Sequence, residues 1–192
     1  MREDASKERE GDVRHRLADA LEGCMRETAL ERITVRQITD ACGVSRQTFY
    51  RHFADKYDLI NWYFDELLAK AFLHMGYGKT ARDALIHKFT YIQAEKFFFR
   101  VAFRNDSQNN LRDHDTEMIM DFYRKLIAGK QGTFPEEQYG ALLEMYCVAS
   151  VHMTQQWVFK GCADSPEKMA RLMIEAMPPK LSALFSELGI LD

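Results

Sequence analysis

Residues 33–60 read ITVRQITDACGVSRQTFYRHFADKYDLI, and the punctuation inside this stretch decides the fold. Thr34 supplies a side-chain oxygen of the kind that caps a helix, and the short helix it opens is expected to turn Val35, Ile38 and Ala41 inward. Cys42-Gly43 ends that helix, because glycine accepts the left-handed conformation of a C-cap, and Ser45 can cap another helix almost at once. Two short helices joined by so tight a turn have the layout of a helix-turn-helix. At about 100° per residue, with Phe49 taken as the inward direction, Phe53 falls about 40° away while Gln47 and Arg51 fall near 160° and 200°. Thr48 and Tyr50 lie on the flanks.

Gln47 and Arg51 therefore leave the helix together, opposite the core. Glutamine can pair bidentately with adenine and arginine with guanine, in a major groove wide enough to admit one helix. Around them Thr34, Thr48, Tyr50, His52 and Lys56 offer hydroxyl, imidazole and ammonium donors suited to phosphate. The window from Arg32 to Lys56 holds five cations (Arg32, Arg36, Arg46, Arg51, Lys56) against two acids (Asp40, Asp55). It carries +3 in a chain of net charge −3, so the remainder is −6: a basic patch on an acidic body.

The same stretch resembles the DNA-binding domain of TetR-type transcriptional regulators. The resemblance rests on Thr34, Ile38, Gly43, Val44, Thr48, Phe49, Tyr50, His52, Phe53, Lys56 and Leu59, which match the family's threonine opening, its G-V turn and its T-[FL]-Y-x-H-F…K-x-x-L segment. It implies phosphate contacts at Thr34, Tyr50, His52 and Lys56, and base-facing positions at Arg46, Gln47 and Arg51. The segment RQTFYRHFADKYDLINWYF (residues 46–64), with Trp62 and Phe64 and the aromatic helices that follow, is similar to the subgroup that includes the activator of dihydroxyacetone kinase operons. That similarity leaves the sign of regulation open.

Outward from this stretch, 3.6-residue periodicity with no sustained alternation points to an all-α chain: an N-terminal three-helix helix-turn-helix domain followed by a C-terminal regulatory and dimerisation bundle. The expected division is a disordered tail over 1–11, the DNA-binding domain over 12–64, and a ligand-binding and dimerisation domain over 65–192. A first helix from Asp12 carries Val13, Leu17, Leu21 and Met25 on one stripe. Asp55 caps a long fourth helix, and Gly76-Tyr77-Gly78 marks the first break after it. Further helices are expected near 80–92, 94–104, 113–128, 135–160, 165–176 and 178–188, separated by NDSQNN, GKQG, GCADSP and the Pro178-Pro179 pair.

Helix 135–160 is apolar nearly all round, so one side can face the domain core and another a second subunit. Leu142, Met145, Ala149 and Met153, with Met169, Leu172 and Met173 on the next helix, form the expected homodimer interface. Phe99, Phe103, Phe122, Tyr123, Tyr146, His152, Met153 and Trp157 can line a pocket for a small-molecule effector, or can pack as plain core.

Composition bounds the rest. At 192 residues and 46% hydrophobic content the chain can bury a real core. Cys24, Cys42, Cys147 and Cys162 are scattered, which fits reduced and mostly buried thiols. His87 with Tyr91 and His114 with Glu117 stand at helical spacing without further ligands, so no metal and no other cofactor is expected. The charged N-terminus and the lack of a long apolar run point to the cytoplasm, without a membrane segment. No G-x-S-x-G, P-loop or H-E-x-x-H is present, and no enzymatic activity is expected. The expected partner is a palindromic operator in double-stranded DNA, bound by a dimeric regulator, most simply a repressor. The alternative is an activator or co-regulator whose C-terminal domain binds a protein rather than a metabolite.

Overall fold

In the computed structural model, residues 2–72, 80–105 and 110–191 are described. Their regular structure is helical, with no strand among them. The helices are α1 (Arg2–Glu27), a 3-10 turn (Leu30–Arg32), α2 (Val35–Cys42), α3 (Arg46–His52), α4 (Lys56–Phe72), α5 (Ala81–Ala94), α6 (Lys96–Arg104), α7 (Leu111–Gln131), α8 (Glu136–Phe159), α9 (Pro166–Glu175) and α10 (Pro179–Glu187). The Gly76 to Gly78 break and most of NDSQNN lie outside the described residues.

α1 starts at Arg2, well before the expected Asp12, because REDASKEREG is rich in Arg, Glu, Lys and Ala, which favour helix even with little to bury. Of its expected stripe, Leu17, Leu21 and Met25 are buried, together with Ala18, while Val13 is half-buried.

Local chemistry sets the helix-turn-helix. Thr34 and Gln37 form a capping box on α2: the Gln37 amide donates to Thr34 Oγ1 at 3.3 Å, and the Thr34 amide donates to Gln37 Oε1 at 2.8 Å. Gly43 closes α2 at φ 68°, where a side chain would be strained, and its N–H bonds to Thr39 O. Ser45 caps α3 by accepting from the Thr48 amide at 3.0 Å. Asp55 Oδ1 caps α4, accepting from the amides of Tyr57 and Asp58 at 2.8 and 2.9 Å.

On α2 the inward face is Ile38 and Thr39, with Val35 half-buried; Ala41 is exposed, contrary to expectation. The inward register continues through i+4 rather than i+3, and Thr39 is tolerated there because its hydroxyl donates to Arg36 O at 3.0 Å. Phe49, Phe53, Leu30, Ile33, Leu59, Ile60, Phe64 and Leu67 are buried in the same unit.

The division between two compact units falls within α4, after Leu67. In the C-terminal unit α5 packs on α9, while α7 and α10 pack on α8. The Ala81 amide donates to Ile190 O at 3.0 Å, so the chain's last turn is tied to the start of α5. In this unit the helix ends lie within about two residues of the expected ones, except that α7 runs through Gly129 and Lys130 and stops only at Gly132, φ 92°.

Candidate nucleic-acid interface

Arg46, Gln47 and Arg51 are exposed on α3; the wheel about Phe49 requires this of Gln47 and Arg51, while Arg46 stands about 60° from the inward direction. Tyr50 is 51% exposed. Its ring meets the fully buried Phe49 edge-on at 5.4 Å, and the Arg46 guanidinium lies 6.0 Å from its centroid. A large amphipathic ring is thus anchored at one edge and wet at the other.

Thr48 is half-buried, with Oγ1 2.9 Å from Ser45 Oγ. Thr34 is exposed, but its hydroxyl also donates to Gln37 Oε1 at 2.9 Å. Thr34 is first of all a helix cap, and Thr48 is tied to the cap at Ser45 through its amide and its hydroxyl. Arg36 pairs with Asp40 at 3.4 Å, with both side chains largely exposed, and such a surface pair costs little to open.

Two expected phosphate ligands are not presented. His52 stands about 60° from the inward direction of Phe49 on the wheel. It is half-buried with both ring nitrogens shielded from solvent and its ring 6.4 Å from Phe53. Lys56 turns its ammonium onto the 3-10 turn, donating to the carbonyls of Leu30, Glu31 and Ile33 at 2.7, 2.9 and 2.8 Å. Three donors meet three acceptors, so none is left for phosphate. Burial draws its pKa below the usual lysine value, against the opposing pull of Glu31 and Asp55.

Residues not singled out in the sequence complete this domain. Arg16 Nη2 donates to Cys42 O at 2.6 Å, closing the C-terminal end of α2 from α1. Arg14 lies 5.7 Å from the ring centroids of both Phe53 and Trp62. Its signal was present in the sequence: Arg14, Leu17, Ala18 and Leu21 fall on one helix face, and an arginine there is out of place unless rings or acids receive it.

The C-terminal unit separates the expected interface from the expected pocket. Met145 is 70% exposed, Val148 51%, Met153 42% and Leu172 38%, and Ala149 and His152 are also exposed. Leu142 is half-buried. Met169 and Met173, expected at the interface, are buried in the chain's own core, because α9 turns them inward and Leu172 outward.

The expected pocket residues divide between core and surface. Phe99, Phe103, Tyr123, Tyr146 and Trp157 are buried core. Tyr123 packs against Phe185 at 5.5 Å and Tyr146 at 6.2 Å, and Trp157 against Phe89 at 5.4 Å. The Tyr146 hydroxyl donates to Met173 O and the Trp157 indole N–H to Asp164 O. Phe122 is half-buried, and His152 and Met153 point outward. An open groove of about 550 Å³ between α7 and α8 includes His152, beside Glu117, Met120, Glu144 and Val148. Of the cysteines, Cys147 and Cys162 are buried, while Cys24 and Cys42 are only half so.

A capped helix pair presenting arginine, glutamine and tyrosine, joined to a second helical unit, defines a helix-turn-helix transcriptional regulator. The chain belongs to the TetR family: the family described as "Bacterial regulatory proteins, tetR family" matches residues 17–62, and that described as "Transcriptional regulator C-terminal region" matches residues 79–178. Among solved structures it is similar to one titled "Dihydroxyacetone kinase operon activator DhaS", at 18% identity and TM-score 0.67, covering 93% of this chain and 97% of that one. It is also similar to a transcriptional regulator from Rhodococcus sp. Rha1, at 19% identity and TM-score 0.53, covering 93% and 95%. At these identities the likeness is one of fold. No curated protein matches by sequence. Among the described residues no helix is long and apolar enough to cross a membrane.

Proposed function

We propose that this chain binds a palindromic operator as a homodimer and represses by occupying it. The observation that carries the reading is the face of α3, where Arg46, Gln47, Tyr50 and Arg51 are exposed on a helix with a capped N-terminus and an inner side seated by Phe49. Gln47 and Arg51 read base edges in the major groove, and Arg46 and Tyr50 flank them. A single seven-residue helix reads too few base pairs for specificity, so two copies joined through the exposed apolar side of α8 and α9 address half-sites about one DNA turn apart. A small-molecule effector in the C-terminal helices would act by pivoting α4, altering the separation of the two recognition helices and hence their match to fixed half-sites.

The name of the structurally similar operon activator favours a second reading, in which the bound dimer activates through a partner protein. A reporter driven from the operator separates the two: output falls with the chain alone under repression, and rises only with the partner supplied under activation.

The DNA assignment is tested with DNA from upstream of the protein's own gene, at two salt concentrations. Wild type should lose affinity steeply as salt rises. The double variant Gln47→Ala with Arg51→Ala should lose roughly 10- to 100-fold of its preference for that DNA over unrelated duplex. Binding without salt dependence, or an unchanged preference in the double variant, would sink the assignment.

A further inference from the structure

A seven-residue helix does not hold its own direction; its tertiary contacts do. At the C-terminal end of α3, the Phe53 ring lies 5.6 Å from the indole of Trp62 on α4. The Arg14 guanidinium, from α1, stands 5.7 Å from the centroid of each ring. Arg14 Nε is buried without a hydrogen-bond partner. Aromatic faces stabilise this cation, on a helix face otherwise occupied by the buried Leu17, Ala18 and Leu21. His15, next to Arg14 in α1, meets Trp62 edge-on at 5.2 Å and lies 3.6 Å from Glu66, one turn further along α4. In the other direction the ring contacts continue from Phe53 to Phe49 at 5.9 Å, from Phe49 to Tyr50 at 5.4 Å, and from Tyr50 to Arg46 at 6.0 Å.

We propose that Arg14 and Trp62 are positioning residues of the recognition surface: the guanidinium, set against Phe53 and Trp62, makes the direction of α3 follow that of α4. The proposal rests on the reading of α3 as the recognition helix. Neither residue touches DNA. A rotation of α4 carries the indole, the indole carries Phe53, and Phe53 carries the helix that bears Tyr50 and Arg51. Phe53 is the C-cap of α3, its amide bonded to Phe49 O at 3.0 Å, so it cannot move without the last turn of that helix.

The test uses the full-length chain with Arg14→Gln, Trp62→Leu and the conservative Arg14→Lys and Trp62→Phe. Amide hydrogen exchange is read over residues 46–53 and, as an internal control, over residues 35–42. Arg14→Gln and Trp62→Leu should speed exchange in 46–53 by about tenfold or more relative to 35–42, with the conservative variants close to wild type. On duplexes carrying two copies of the half-site that wild type selects, at the best spacing and with one base pair added, wild type should discriminate. The two disruptive variants should bind both within about twofold while keeping the wild-type salt slope. Unchanged relative exchange over 46–53 overturns the proposal, as does a salt slope lowered by about one in Arg14→Gln, which marks a phosphate contact instead. If wild type selects no DNA, the operator reading fails, and the exchange result still decides the joint.

Discussion

Lys56 commits its three ammonium protons to the carbonyls of Leu30, Glu31 and Ile33, and that geometry separates two roles one cation can play. A phosphate ligand contributes to the salt dependence of DNA binding; a cation that closes a backbone turn contributes to folding. Lys56→Met should therefore lower stability in urea by about 2 kcal/mol, the order expected when hydrogen bonds to a charged group are lost and half-buried carbonyls are left unmet. The slope of log affinity against log salt should stay at its wild-type value, whereas loss of a phosphate contact lowers it by about one. A stable variant with a reduced slope would return Lys56 to the DNA. The outward pair Gln47 and Arg51 was legible from the wheel about Phe49, since helix geometry alone places it, whereas Arg46 was indicated only by the family resemblance. Lys56 was not, because its partners are backbone carbonyls of a 3-10 turn, which have no signature in residue types.

Among the helices, α8 shows what periodicity can and cannot say. Its apolar residues run nearly round the circumference, and the structure divides them: Leu143, Tyr146, Cys147 and Val151 inward, Met145, Val148 and Met153 outward. Apolar character marks a residue as able to be buried without saying against what, which is why Met169 and Met173 look like Met145 in sequence yet sit in the chain's own core. The inward side has an electrostatic consequence. Burial pushes the Cys147 thiol up to about 12 and the Tyr146 phenol up to about 12. The unfolded chain releases these protons near pH 8.5 and 10, while the folded chain keeps them towards about 12. A raised folded pKa gives stability that is fully present below the unfolded value and is lost as pH rises towards the folded one, by up to about 1.4 kcal/mol per pH unit and group. Lys88, whose pKa burial lowers, acts with the opposite sign below its own unfolded value, so wild type alone cannot apportion the effect. Cys147→Ala can: its loss of urea stability between pH 8 and pH 10.5 should be smaller than that of wild type, by about 2 kcal/mol. Equal losses would mean that the thiol titrates alike in both states.

At the scale of the whole molecule, Met145, Val148, Met153 and Leu172 leave an exposed apolar face on the helices where the sequence led us to expect a second copy. In a two-fold assembly the same face meets itself, so one substitution acts twice across the contact. Met145, 70% exposed in the single chain, is well placed for the test, because replacing it leaves the chain's own core untouched. Met145→Asp should fold with near wild-type thermal stability as a monomer, since surface changes away from caps and cores shift stability by about 0.5 kcal/mol or less. In a dimer formed through this face it would bury two unpaired carboxylates, weakening association by at least about 100-fold. Sedimentation equilibrium across micromolar concentrations reads this directly. Operator affinity should fall with it, since each half-site would then be held by one helix alone, yet the base preference set by Gln47 and Arg51 should persist at high protein concentration. A Met145→Asp chain that sediments as wild type does would place the dimer contact elsewhere, and one that loses base preference along with affinity would mean that the face of α3 is shaped by the partner rather than by its own caps.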